Sequence, residues 1–272
     1  MAGILPAEQA RREGCGALAH LPALMYGSPM RISRILLATI LLGLSACAGT
    51  IQPAGTQPNE LPRNEQIMYG GPERTAEQRA ADREYLAAID EIGWTRREAA
   101  EHTTKRGFQY FRRGDYATAI KRFNQAWLLD PEYGGAYWGF AVILFERDKE
   151  IGSAGEMFSK AVELLPDDPD LQVDYGRFYG KTARPRKAIE RYEQALRLNS
   201  NARDAHAGLT SAWVALGDYR QALFHAKISV DRNEYHPKQV VDLLECFVDI
   251  LDRGDQVNYQ TGAKCMSLMQ AN

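Results

Sequence analysis

Thiols, imidazoles and clustered carboxylates are the side chains of this sequence that could do chemistry. There are four cysteines, Cys15, Cys47, Cys246 and Cys265. The histidines are scattered, and none stands in the HExxH spacing that puts two imidazoles and a glutamate on one helical face for zinc. His206 and His225 are near enough in the chain to be neighbours, but ordinary helix-surface or partly buried histidines account for them. Asp167, Asp168 and Asp170 cluster just before a helix-forming stretch, where capping and compensation of the helix dipole explain them better than a metal does. No glycine loop is suited to cradling phosphate. These residues make no catalytic constellation, so the expectation is a protein that is not an enzyme, with no cofactor and no metal. Cys47 has a more specific setting. Arg31 and Arg34 form a positive cluster, residues 35–44 are almost all apolar, and Ser45 and Ala46 are small. A charged start, a short apolar core and a small-residue end describe a secretion signal. The core is only about ten residues long, against roughly 20 for a membrane span.

Leu44-Ser45-Ala46-Cys47 resembles the lipobox of bacterial lipoproteins. That resemblance implies cleavage before Cys47, acylation of its sulfur and further fatty acid on the new terminus. Two or more acyl chains anchor a protein stably where one does not. The alternative is a plain signal peptide with an incidental cysteine. Met30 is the better start for such a signal. Residues 1–29 then read as a mis-assigned upstream segment or an unusually long leader, and residues 30–46 as the signal peptide. Ala48, where an aspartate would retain the lipoprotein at the inner membrane of enteric relatives, implies the outer membrane, facing the periplasm.

The four arginines and two glutamates before Cys47 leave 29 basic and 33 acidic residues. Nucleic-acid binding rests on neutralising phosphate, and this balance offers no basic excess for it. Residues 48–74 contain Pro53, Gly55, Pro58, Pro62, Gly70, Gly71 and Pro72, which interrupt any period. With Cys47 they read as lipid attachment and a flexible tether, residues 47–74.

The elements beyond the tether follow from an internal repeat. Gly107, Ala141, Gly176 and Thr210 are spaced 34, 35 and 34 residues apart, and Ala119, Ala154, Ala188 and Ala222 are spaced 35, 34 and 34. Large residues recur beside them: Tyr110, Leu144, Tyr179 and Trp213, then Phe123, Phe158 and Tyr192. Small ones follow at Ala126, Ala161, Ala195 and Ser229. Each unit reads as two helices whose small residues let the backbones approach while aromatics fill the space alongside. Gly114 and Gly217, each followed by Asp-Tyr, break the chain between helices, and Pro131 and Pro166 end the second helix. No unit can bury its apolar face alone, so the units must stack. The fold class predicted is all-α, a helical solenoid over residues 75–253, with four repeats at about 100–235.

This pattern resembles the tetratricopeptide repeat (TPR), and GFQYFRRGDYATAIKRFNQAWLLDP, from Gly107 to Pro131, is its clearest unit. The second unit carries one extra residue near its turn, the third has Ser200 in place of the last proline, and the fourth has Ala226 at the large position. The resemblance implies a protein-binding scaffold, with a concave groove lined by the first helix of each unit. The family's groove positions fall on Thr104, Phe108, Phe111 and Arg112, then Trp138, Val142, Phe145 and Glu146. They continue at Val173, Arg177 and Lys181, and at Asp204, Ala207, Ser211 and Val214. The groove is expected to be aromatic at its start and basic in its middle, and to take a partner's peptide or helix rather than a small-molecule substrate. Phe111, Trp138 and Phe145 are the candidate anchors, with Arg177 and Lys181 orienting an acidic segment or a carboxylate. Thr104 and Phe108 replace the lysine and asparagine of the chaperone-binding members. The competing expectation is that Phe108, Phe111 and Trp138 pack against the helix that precedes the array.

That preceding helix is marked by a capping box at Thr75 and runs to about Ile92, and a second box at Thr95 opens the first repeat helix. After the array, Pro237 suits a helix start, and Val240, Val241, Leu244, Phe247, Val248 and Leu251 recur at helical spacing, predicting a capping helix. Residues 254–272 form the tail. With Cys15 removed and Cys47 lipidated, Cys246 and Cys265 are an even pair in an oxidising compartment, so a disulfide between them is expected. The alternative is two thiols, with Cys246 turned to the core. A lipobox, a tether and a repeat array are shared with the outer-membrane lipoproteins of type IV and tight-adherence pilus systems, and with lipoproteins that dock envelope proteases or cell-wall enzymes.

Overall fold

The computed structural model describes residues 61–234 and 238–270. Cys47, the signal sequence and the start of the tether lie outside the described residues, as does Pro237. The helices are α1 (Ala76–Glu91), α2 (Arg96–Arg112), α3 (Tyr116–Leu129), α4 (Gly134–Ile143), α5 (Ile151–Leu164), α6 (Pro169–Lys181) and α7 (Pro185–Leu198). They continue as α8 (Ala205–Leu216), α9 (Tyr219–Asp231), α10 (Lys238–Asp252) and α11 (Tyr259–Gln270). The described residues contain no strand.

Local chemistry sets the boundaries. Thr75 and Thr95 each accept a hydrogen bond from the backbone N–H three residues on, at 3.2 Å, while Gln78 and Glu98 reach back to the threonine N–H at 3.0 and 2.9 Å. Each box satisfies N–H groups that a helix start leaves without partners. Gly114 and Gly217 both turn the chain at φ 77°, and the aspartates after them cap α3 and α9. The extra residue of the second unit lies between Ala141 and Ala154. There α4 runs on into a π turn, Leu144–Asp148, whose wider hydrogen bonding absorbs one residue without breaking the helix.

Helices α2/α3, α4/α5, α6/α7 and α8/α9 pack as successive pairs. The joints between pairs show why small and aromatic residues alternate. Phe123 is fully buried between Gly107 and Gly139, where an added Cβ would fall 2.5 and 2.2 Å from its ring. Tyr192 sits likewise between Gly176 and Gly208, at 2.8 and 2.2 Å. The middle joint differs. Gly139 and Gly208 correspond in register to Asp174, 35 residues after the first and 34 before the second. There Phe158 stacks on Tyr175 at 5.0 Å and packs on Phe178 at 5.3 Å, so a layer of rings takes the place of close backbone approach.

Both ends of the array are covered. Tyr85, Leu86 and Ile89 of α1 pack on Ala99, Ala100, Ala126, Leu129 and Ala136. Phe108, Phe111 and Trp138 belong instead to the main core cluster, so α1 closes the end of the stack rather than packing on them. At the other end Val241 and Leu244 of α10 meet Ala222 and Ala226. The tail carries α11, tied to α10 by a disulfide between Cys246 and Cys265, 19 residues apart. Closing a loop of that size is worth about 3 kcal/mol on the chain-entropy account. Reduction is therefore expected to lower stability by about that amount, read by urea unfolding with and without a phosphine reductant, and Cys265→Ser should reproduce it.

One stretch corrects the tether. Residues 61–74 do not hang loose but form a strap across α3. The Asn124 side chain donates to the carbonyls of Asn64 and Gln66 at 3.1 and 2.8 Å and accepts from Tyr69 N–H at 3.3 Å. Lys121 pairs with Glu65 at 2.9 Å, and Arg147 donates to the Glu65 carbonyl at 3.0 Å. Ile67 and Met68 pack on the core, and the Arg74 guanidinium lies 3.9 Å above the Tyr69 ring. Proline and glycine prevent a helix here, but they do not prevent docking once side chains on the folded array bind the backbone.

Candidate functional site: the face of the first helices

Helices α2, α4, α6 and α8 carry most of the groove residues read from the sequence; Phe145 and Glu146 lie in the π turn that follows α4, and Asp204 immediately precedes α8. At the start, Phe108 lies 4.3 Å from the Trp138 ring and 6.5 Å from Phe111, and all three are half-buried. Phe145 is half-buried against Phe178 at 5.2 Å. Val142 and Val173, placed in the groove by the resemblance, are 5% and 4% exposed and belong to the core. Arg112 is exposed at the end of α2. Burial raises the pKa of Asp170 on α6, and the Arg112 charge partly offsets that.

The middle of this face is an ion-paired network, not a basic patch. Trp138 Nε1 donates to Asp174 at 2.9 Å. Arg177 pairs with Asp174 on its own helix, and with Asp204 at 3.8 Å across the next joint. Two carboxylates thus hold the guanidinium that the sequence assigned to a partner. Burial pushes the Asp174 carboxyl above the usual carboxylate range, while Arg177 and the indole N–H pull the other way. Asp174 was not singled out from the sequence. Its signal was there, as the one carboxylate in a register otherwise held by Gly139 and Gly208.

Beyond the network a cavity of about 850 Å³ opens between the third and fourth units. Arg177, Lys181, Asp204, Ala207 and Ser211 line it, with Arg203, Gly208 and Glu234. Lys181 and Arg203 are exposed. Glu234 reaches back to accept a hydrogen bond from Ala207 N–H at 3.0 Å.

His206 and His225 do meet. Their Nδ1 atoms are 2.9 Å apart and their rings are stacked at 5.2 Å. One nitrogen must donate and the other accept, so the pair is stable only with at least one imidazole neutral. Burial, then the neighbouring His225 and Arg232, lower the His206 pKa to about 4 from an ordinary 6.5. Between those values the unfolded chain binds a proton that the folded one refuses, so stability is present above pH 6.5 and is lost as pH falls toward 4. The loss amounts to about 3 kcal/mol for this group. His206→Gln is expected to flatten the stability profile in that window, measured by urea unfolding at half-unit pH steps. An unchanged slope would show that the pair titrates normally. Among the described residues no group of three or more metal-ligating side chains accompanies this pair.

Successive stacked helix pairs, with Phe123 and Tyr192 of second helices each seated between glycines of adjacent units and Phe158 in a layer of rings between them, define a TPR solenoid. The sequence matches no protein-family model and no curated protein. Among solved structures it is similar to PilF of Pseudomonas aeruginosa, at 21% identity over 65% of this chain and 77% of that one, with a TM-score of 0.50. It is also similar to PilW, described as a type IV pilus biogenesis factor, at 19% identity over 64% of this chain and 93% of that one, TM-score 0.43. A thermophilic TPR protein of Thermus thermophilus, TTC0263, matches at 16% identity over 49% of this chain and 91% of that one, TM-score 0.31. At these identities the likeness is one of fold, and it rests on PilF.

Proposed function

We propose that this chain is a lipid-anchored, periplasm-facing scaffold that binds a protein partner along the face of its first helices. The service we assign it is assembly of a pilus or secretion apparatus at the outer membrane. The observation that carries the reading is the order of chemistry along that face: a half-buried aromatic ridge at Phe111, Phe108 and Trp138, then a cavity rimmed by Lys181 and Arg203. A helix or extended peptide recognised there needs apolar anchors for the ridge and an acidic group or terminal carboxylate for the rim. A few residues supply most of the binding energy at such surfaces, and tryptophan, tyrosine and arginine are enriched among them.

The anchor is tested at Cys47. Cells producing Cys47→Ala are expected to accumulate uncleaved precursor without incorporating labelled palmitate; normal labelling would end the lipoprotein reading. The groove is tested by a photo-crosslinking amino acid placed at Phe111, on the ridge, and at Phe224, exposed on α9. A pilus or secretion component joined at Phe111 and not at Phe224 supports the proposal. Adducts confined to Phe224 overturn it.

A further inference from the structure

The cleft that receives the strap recurs one unit along the array, and there the described residues leave it open. The helix register sets the equivalence. Lys121 and Asn124 of α3, which hold the strap, correspond to Glu156 and Ser159 of α5, 35 residues on. Both line a cavity of about 670 Å³ whose other walls include Gly152, Gly155, Tyr175 and Tyr179. Glycine weakens a helix, and a Cβ added at Gly152 would meet nothing within 4 Å. No packing inside the described array requires that glycine, and its effect is to keep the cleft wide. Ile151, 48% exposed, sits on the rim.

The hydrogen bonding of the cleft is directional. Tyr179 donates to the Tyr175 hydroxyl at 2.6 Å. Ser159 donates to the Gly155 carbonyl at 2.9 Å, so it accepts from Tyr175 at 2.9 Å. Every hydroxyl hydrogen of this relay is committed, and what remains to a visitor is oxygen lone pairs. The cleft therefore favours N–H donors, which an extended backbone supplies. The charge is reversed at the position of Lys121; the other charged walls are the Lys160–Glu163 pair and Arg184. In the first cleft Lys121 binds Glu65 of the strap, whereas the same position here is the exposed carboxylate of Glu156.

We propose that this second cleft binds an extended segment of a partner protein, in the manner of the strap but with opposite charge. The segment carries two adjacent apolar residues, as Ile67 and Met68 do in the strap. It carries a lysine or arginine two residues before them, where the strap has Glu65. This surface is separate from the face of the first helices, so either proposal can fail alone.

The probes are two fluorescein-labelled peptides spanning residues 61–71, one of native sequence and one with Glu65→Lys, titrated by anisotropy into the detergent-extracted protein. The Glu65→Lys peptide is expected to bind about three- to fivefold more tightly, the scale of a partly exposed ion pair. Glu156→Lys should invert that preference. Gly152→Trp, which fills the open space, should abolish binding at an unchanged melting temperature. Preference for the native peptide would mean that a second copy's strap, or the first cleft, is the binding partner, and would overturn the proposal. So would affinities indifferent to Glu156→Lys, or no binding of either peptide.

Discussion

Phe123→Ala is expected to lower stability by about 4 kcal/mol, the usual cost of emptying a fully buried phenylalanine site. The reason lies in what the ring separates. Phe123 fills the space between Gly107 of its own unit and Gly139 of the next, so its loss opens the first joint on both sides. Gly139→Ala should damage the same joint from the opposite direction. Its new methyl would lie 2.2 Å from the ring, and the strain should cost about 3 kcal/mol. The two changes are neighbours, so they should not add. Phe123→Leu with Gly139→Ala is expected to be more stable than the sum of the single effects, because the smaller side chain gives the methyl room. Urea unfolding of the four proteins measures this. Strict additivity would show that the ring and Gly139 do not share the joint.

The repeat was legible because stacking imposes a period on the sequence. The series from Gly107 to Thr210 and from Ala119 to Ala222 marks the places where backbones approach, and chain direction follows from Gly114, Gly217 and the prolines. The two capping boxes were legible because each is satisfied within four residues. What escaped depended on partners far away in the chain. Gly139 and Gly208 form a second glycine register, but Asp174 interrupts it, and an aspartate on a polar helix reads as solvated. Arg177 reads as a charge available to a partner until Asp174 and Asp204 are placed beside it. The strap has no period at all. Its order comes from Asn124, nearly 60 residues away, whose side chain binds backbone groups that no local pattern announces. The extra residue of the second unit was visible, but only the structure shows that a π turn absorbs it.

Trp138→Ala is expected to cost about 4 kcal/mol of stability, which makes this residue more than an exposed anchor. Truncating a large aromatic side chain costs about 3 kcal/mol even at the low end. A further cost of about 1 kcal/mol or more arises when a buried acceptor loses its donor, and Asp174 loses the indole N–H. The carboxyl of Asp174 already has a raised pKa because of burial. Without the indole it should rise further, so the ionised form burdens the folded variant more than the wild type. That burden is present above the folded pKa and is relieved as pH falls through it. The deficit of Trp138→Ala should therefore be smaller at pH 4.5 than at pH 7.5, whereas a pure loss of packing would leave it constant. Asp174→Asn provides the complementary case. It keeps an oxygen for the indole and removes the buried charge, so it should be tolerated far better than Asp174→Ala, which leaves both the indole and Arg177 without their partner. If Trp138→Ala weakens partner binding at a temperature where the variant is fully folded, the residue serves both the joint and the groove. If the folded variant binds normally, recognition falls to Phe108 and Phe111, and Trp138 is there to hold the second and third units together.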